Sequence, residues 1–474
     1  MSNDLCYITA VNAIAQFKNQ TLSPVELMQA IIARTEEMEP KINAFSFTYF
    51  DEALEAAKEA EKRYANGTAR PLEGIPLAVK DESFIAGKIT TNGSLLMQDF
   101  VPDKTTLIVE RLLEAGAIVH ARTTTPEFSI AGYTWSKLWG VTRNPWNLEI
   151  TPGGSSGGSG ASLAAGTSTL ATGSDIGGSI RIPASLCGLV GFKPPYGRNP
   201  EDAPFNLEYY NHPGPLARTV SDCILMQNVI AGPHPLDIAS LKPKLTLPTS
   251  YDNIKDWRIA YSLDLGYHAI DPDVRQNTLA ALDVFRSLGA TVEEVELGWT
   301  WDSLKAAIYH LGYGAMGAFL LESYDSEHRD LLTNYVKDFA EQSKAVTMKQ
   351  SYWAEMVAAE MYAKLSSTVF ANYDLFICPT IASTGVAADN DYSKDALTID
   401  GQTIDPKLGW VMTYPFNMLS RCPVLTIPSG QASNNVPTGI QLVGPTYEDA
   451  VVFQAAMAYE RAVEGKNGRW PKMG

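Results

Sequence analysis

One stretch constrains this chain more than any other: residues 151–183, TPGGSSGGSGASLAAGTSTLATGSDIGGSIRIP. It holds two Gly/Ser clusters, 153–160 and 173–179, around a small, mostly apolar segment, 161–171. Glycine tolerates positive φ and lets other backbone come close, so such a row can cradle a ligand with its N–H groups. A flexible linker would share the composition. However, residues 168–171 read as a buried strand, and Ile180, Ile182 and Leu186 continue an apolar pattern past the second cluster. Linkers do not alternate with core strands, so the clusters are expected to line a site.

The chemistry of that site is narrowed by what surrounds it. A phosphate loop needs Lys and Ser/Thr directly after its glycines, and no lysine lies between Lys137 and Lys193. Gly153, Ser155 and Gly157 match the nucleophile-elbow pattern G-x-S-x-G, a short pattern that a Gly/Ser-rich run meets by chance. An α/β-hydrolase would also need a later acid and histidine. His212, His234, His268, His310 and His328 follow in order, none in a telling context. The second cluster is more specific. If the backbone curls there, the N–H groups of Ile176, Gly177, Gly178 and Ser179 converge on one concavity, a nest for an oxyanion. A serine whose own N–H joins the nest is well placed as an acyl-transfer nucleophile.

These motifs, together with the GLVGFKP run at 188–194, closely resemble the amidase signature family. In that family the nucleophilic serine lies in the second cluster, a bridging serine lies 24 residues earlier, and a lysine ends an upstream G-I-P-x-x-V-K-D strand. Ser179, Ser155 and Lys80 occupy those positions here, the last within Gly74–Asp81. The resemblance is clear over roughly 70–225 and 370–460. One departure is Glu82, where many relatives carry Asn; it is expected to alter the pocket wall.

The resemblance implies an α/β fold: a single domain, 1–474, with a central mixed twisted sheet covered by helices on both faces. Within it, 1–68 would be a helical arm and 70–225 the catalytic core. Residues 245–370 would be a variable pocket region, and 371–474 the last core strands with a closing helix. It also implies a Ser–cis-Ser–Lys relay: neutral Lys80 takes a proton from Ser155, which takes one from Ser179, and the oxyanion rests on the N–H groups of 176–179. The Gly154–Ser155 peptide would be cis. Ser156, Asp175 and Arg181 would orient the loops. No metal or other cofactor is implied. To act as a base near neutral pH, Lys80 must fall about three units below the free lysine value near 10.4, about 4 kcal/mol, which burial can supply.

Local patterns fill in the rest. Ser23 and Glu26 form a capping box with Pro24 between them, and Leu22 and Leu27 a hydrophobic staple. A second helix is expected over 51–64, a strand over 76–79, a helix over 105–116 and a strand over 117–121. Thr125-Pro126 is expected to start a further helix. Residues 257–261, 271–288 and 289–295 read as a strand–helix–strand unit. Residues 300–370 read as helical, with Trp299, Trp301, Tyr309, Tyr313, Met316, Phe319 and Met361 as candidate pocket lining. A buried strand over 373–380, a long loop over 381–409, the runs 410–417 and 422–428, which look like the family's C-terminal part, a last strand over 439–444 and a helix over 447–464 close the chain.

Composition excludes some partners. The net charge of −16 argues against unaided nucleic-acid binding. No apolar run approaches the roughly 20 residues of a membrane span, and no secretory leader is recognisable. Five scattered cysteines with no metal-ligand spacing fit a reducing compartment. A cytoplasmic protein acting on a small molecule, without nucleic acid or membrane, is therefore expected, and the family resemblance implies a monomer or homodimer. The family resemblance leaves several substrates open: small hydrophobic amides, carbamates (urethanes), or glutamine for the amidase subunit of a glutamyl-tRNA amidotransferase. A catalytically silent binding protein is the remaining alternative, against which stand three intact relay positions.

Overall fold

A computed structural model describes residues 5–325, 327–389, 396–464 and 471. An eleven-stranded sheet organises them. Its strands run, edge to edge, Phe45–Thr48, Ile118–Thr123, Pro76–Lys80, Leu170–Asp175, His212–Ala217, Val190–Lys193, Val424–Gln431, Pro437–Val443, Leu375–Pro379, Arg258–Tyr261 and Thr291–Glu294. The sheet is mixed. Pro76–Lys80 pairs in parallel with both of its neighbours, Ile118–Thr123 and Leu170–Asp175. From Leu170–Asp175 to Val424–Gln431 successive pairs are antiparallel.

Alternation along the strands sorts side chains onto two faces. Leu77, Val79 and Leu170 join the large apolar core, which also contains residues of the helices Ala10–Lys18, Leu107–Glu114, Val220–Ile230 and Asp449–Val463. Ala78, Ala121 and Ala171 belong to a different cluster, with Leu163 and Ala164 of the helix Gly157–Ala165 and Ala184 and Cys187 of Arg181–Cys187. Helices therefore cover both faces. Gly157–Ala165 grows directly out of the first Gly/Ser cluster. Glycine costs about 1 kcal/mol per helix position, and tertiary packing overrides that cost here. A Cβ on Gly160 would lie 3.0 Å from Pro183 Cβ, and one on Gly158 2.5 Å from Thr124 N. The Ser159 hydroxyl donates to Thr172 O at 2.8 Å, tying the helix to the sheet.

The capping box forms as the sequence indicates, with Ser23 N donating to Glu26 Oε2 at 2.8 Å. The strand–helix–strand unit is also present: Arg258–Tyr261, Pro272–Ser287 and Thr291–Glu294, the two strands parallel. Three expectations need correction. The predicted helical arm contains a strand, Phe45–Thr48, which forms one edge of the sheet. The helix expected from Thr125 is only a 3-10 turn, Glu127–Ser129. Its N–H groups are claimed elsewhere: Glu127 N donates to Tyr335 Oη and Phe128 N to Asn92 O, and Phe128 and Ser129 adopt positive φ. Finally, the predicted 381–409 loop contains a hairpin, Leu397–Ile399 with Gln402–Ile404; its residues 390–395 lie outside the described residues, as do 1–4 of the arm and 465–470 and 472–474 of the closing segment.

Candidate active site

The strand Pro76–Lys80 is fully buried and delivers Lys80 at its carboxyl end. Its parallel neighbour Leu170–Asp175 presents Thr172 and Ser174, two residues apart and so on one face. Thr172 Oγ1 accepts from Lys80 N at 2.9 Å, and Ser174 Oγ lies 2.9 Å from Lys80 Nζ. Ser155, the serine expected beside this lysine, has its Oγ 2.7 Å from Lys80 Nζ. Burial pulls the Lys80 amine below the ordinary lysine value, and the carboxylate of Glu82 opposes that pull. Glu82 Oε2 is 2.9 Å from Lys80 Nζ. Glu82, expected to alter the pocket wall, therefore also reaches the lysine itself.

Ser155 stands at the amino end of Gly157–Ala165, and its peptide bond with Gly154 is cis. Gly154 has no room for a side chain: a Cβ would sit 2.6 Å from the carbonyl oxygens of Ala131 and Tyr133. Ser155 and Ser179 line one cavity of about 290 Å³. Ser156 links the two clusters through its backbone, its N–H donating to Ser179 O at 3.2 Å; its buried hydroxyl has no partner among the described residues. Likewise no hydrogen bond joins the Ser155 and Ser179 hydroxyls among the described residues, so the closed link is the one to Lys80.

The second cluster curls as a tied loop. Arg181 grips Asp175 with two hydrogen bonds of 2.9 Å, Nε to Oδ2 and Nη2 to Oδ1. Its remaining donors reach Thr413 O, Gln441 Oε1 at 2.6 Å and Asn417 Oδ1 at 2.7 Å. Asn417 Nδ2 donates back to Asp175 O and Oδ1. Burial works to raise the Asp175 carboxyl, but Arg181 and Asn417 outweigh it and hold it below the usual carboxylate range. Gly178 takes φ +131, and a Cβ there would strike Thr413. Gly177 faces open space, with nothing within 4 Å of a Cβ. Among the described residues no acceptor engages the N–H groups of Ile176, Gly177, Gly178 or Ser179, whereas Ile180 N donates to Asp175 Oδ2 at 3.3 Å. Backbone donors held in a fixed curl beside a serine can stabilise a developing oxyanion.

The cavity walls are largely apolar, with Phe84, Met97, Phe128, Phe205, Met316 and Phe319. Phe319 meets Phe128 edge to face at 5.1 Å. Of the aromatic and methionine candidates from the sequence, only Met316 and Phe319 line this cavity. Trp299 and Met361 are core residues. Trp301 packs on Tyr267, Tyr309 packs on Trp353, and Tyr313 faces solvent. Sequence reasoning missed Glu201, which lines the cavity and accepts from Asn211 Nδ2 at 2.9 Å and Asp202 N at 2.8 Å. Burial pushes its carboxyl up to about 8, so it is mostly uncharged at neutral pH. Also missed were Ser174, which the strand's alternation could have placed, and the hydrogen bonds that tie Thr413, Asn417 and Gln441 to Arg181. Those three come from more than 230 residues away in the chain, and no local pattern announces them.

Residues 26–453 match the family model described as Amidase. An acylamidase from Rhodococcus erythropolis is 33% identical over 466 residues, covering 96% of each chain. A glutamyl-tRNA(Gln) amidotransferase subunit from Geobacter metallireducens is also 33% identical, covering 94% of this chain and 95% of its own. The crystal structure of a bacterial aryl acylamidase of the amidase signature family superposes with a TM-score of 0.89 at 29% identity, covering 96% of each chain.

Proposed function

This chain belongs to the amidase family and is an amide-hydrolysing enzyme, and we propose that it cleaves small hydrophobic amides, and carbamates as a second class, through Lys80, Ser155 and Ser179. One observation carries the reading. A buried amine, Lys80 Nζ, lies 2.7 Å from Ser155 Oγ, and Ser155 shares an aromatic-walled cavity with Ser179.

In this reading neutral Lys80 accepts the Ser155 proton while Ser155 accepts that of Ser179. Ser179 Oγ attacks the carbonyl carbon. The oxyanion rests on the N–H groups of Ile176, Gly177, Gly178 and Ser179, where loss of one donor typically costs about 3–4 kcal/mol. The proton returns through Ser155 to the leaving nitrogen, the C–N bond breaks, and the acyl group stays on Ser179. Water then attacks the ester, losing its proton along the same relay, and the acid leaves. A carbamate follows the same steps, releasing amine, alcohol and carbon dioxide. Asp175 and Arg181 hold the loop, and Gly154 and Ser156 seat the bridging serine against it.

The apolar walls support aryl or alkyl amides over glutamine, whose charged α-amino and α-carboxyl groups would need polar partners on those walls. The equal identity to an amidotransferase subunit keeps that activity, with partner chains, as the second reading. The test is hydrolysis by the purified protein of an acyl anilide, an aliphatic amide, an aryl carbamate, a nitrophenyl ester and glutamine, alongside Ser179→Ala. Cleavage of anilide or carbamate, abolished in the variant, is expected. Activity on glutamine alone would favour the second reading, and activity surviving in Ser179→Ala would remove Ser179 as nucleophile.

A further inference from the structure

The Lys80 amine has three polar neighbours: Ser155 Oγ at 2.7 Å, Ser174 Oγ at 2.9 Å and Glu82 Oε2 at 2.9 Å. A neutral amine has two N–H donors and one lone pair; an ammonium has three donors. The three neighbours are not equivalent. The Glu82 carboxylate can only accept, so it takes one N–H in either state. Against burial, the Lys80 charge and the Ser174 hydroxyl hold the Glu82 carboxyl below the usual carboxylate range. Ser174 Oγ accepts the second N–H of Lys80 at 2.9 Å. The lone pair is left with a single direction, toward Ser155 Oγ.

We propose that Glu82 is a positioning residue for the amide-cleaving relay, fixing the Lys80 lone pair on Ser155 and neutralising the charge that Lys80 gains when it takes the proton. The assignment rests on the reading of Lys80 as the terminal base. Once Ser155 has passed its proton, three N–H groups face three acceptors without any side chain moving. The new positive charge then lies 2.9 Å from a carboxylate rather than in an apolar wall. A buried charge without a partner is costly, so the carboxylate makes the proton transfer more favourable. It does so at the expense of a narrower alkaline range in which Lys80 is free to act.

Other charges also face Lys80. Asp175, at the end of the neighbouring strand, is neutralised by Arg181 at 2.9 Å. Glu201, across the cavity, carries no full charge until pH passes about 8. Glu82 is the carboxylate in direct contact.

The test is the pH profile of kcat/KM for 4-nitroacetanilide with wild type, Glu82→Gln and Glu82→Asp, each also in a Glu201→Gln background. An opposite charge within hydrogen-bond reach moves a neighbour's titration by about one unit or more. Glu82→Gln keeps the shape and the acceptor but not the charge. Its acidic limb is expected to move to lower pH by about one unit, with the plateau falling about tenfold as transfer to Lys80 becomes less favourable. Glu82→Asp should keep its limb near wild type. An unmoved limb in Glu82→Gln, with only KM changed, would make Glu82 a wall residue and overturn the assignment. Equal shifts in Gln and Asp variants would do the same, since shape rather than charge would be responsible. The Lys80 titration is read without turnover from 13Cε-lysine spectra of Ser179→Ala with and without Glu82→Gln. A shift there together with amidase activity surviving in Ser179→Ala would remove the nucleophile but leave the contact with Lys80 standing. No shift there would overturn the inference whatever the nucleophile.

Discussion

The two faces of the sheet are packed with side chains of different size, and the difference decides where chemistry can sit. On one face Leu77, Val79 and Leu170 meet helices rich in Leu, Ile and Phe. On the other, Ala78, Ala121 and Ala171 meet the glycine- and serine-rich helix Gly157–Ala165 and its neighbour Arg181–Cys187. Bulky residues fill space and tolerate exchange by volume. Small residues bring backbone against backbone, and here they set the first cluster beside Lys80 and Ser179 beside Ser155. The carboxyl ends of Pro76–Lys80 and Leu170–Asp175 open at that point, the usual site of ligand binding in α/β sheets.

The sharpest way to break this contrast is Arg181→Leu. It strands Asp175 as a buried charge and should cost about 3–5 kcal/mol in denaturant unfolding. The pH dependence has a definite sign. The Asp175 carboxyl is held low in the folded protein, so its ion pair contributes fully above the unfolded value near 4 and fades as pH falls through the lower folded value. The gap between wild type and variant should therefore narrow in acid. A constant gap would mean that packing, not charge, holds the loop.

Next come paired substitutions, one per face. Leu112→Ala removes a fully buried side chain on the bulky face and should cost about 2–5 kcal/mol while kcat/KM per folded molecule stays near wild type. Gly158→Val adds bulk against the backbone of Thr124 and Ala44. It should cost about 1–3 kcal/mol and also lower kcat, because the helix that carries Ser155 must move. If Leu112→Ala impaired kcat as much as Gly158→Val, the contrast between faces would fail.

The smallest expected effect is at the cavity wall. Phe319→Ala removes an aromatic ring from the cavity wall, and a ring contact with a bound anilide is worth about 1 kcal/mol. KM for an anilide should rise roughly fivefold with kcat held, and an aliphatic amide should show little change. Equal effects on both substrates would take Phe319 out of aryl recognition.

The small face was the more legible one. Ser155, Ser179 and Lys80 stand in short motifs because local backbone geometry demands glycine, serine and a buried strand at fixed spacing. The bulky face was legible as helices and strands through periodicity. What stayed hidden depends on distant packing. Thr413, Asn417 and Gln441 reach the loop from the other end of the chain. The edge strand Phe45–Thr48 was obscured by the helices on either side of it. Glu82 was visible as a residue out of pattern, but its contact with Lys80 depends on how the chain turns after the strand.

In the proposed relay Ser179 is the acylated residue, with Ser155 and Lys80 passing its proton. The direct measurement is peptide mass mapping after the protein is mixed with a slowly hydrolysed aryl carbamate and quenched. A carbamoyl adduct on Ser179, left when the aryloxide departs in place of the amine, is predicted, absent from Ser179→Ala and formed far more slowly in Lys80→Met. An adduct on Ser155 or any other residue, with Ser179 unmodified, would contradict the account.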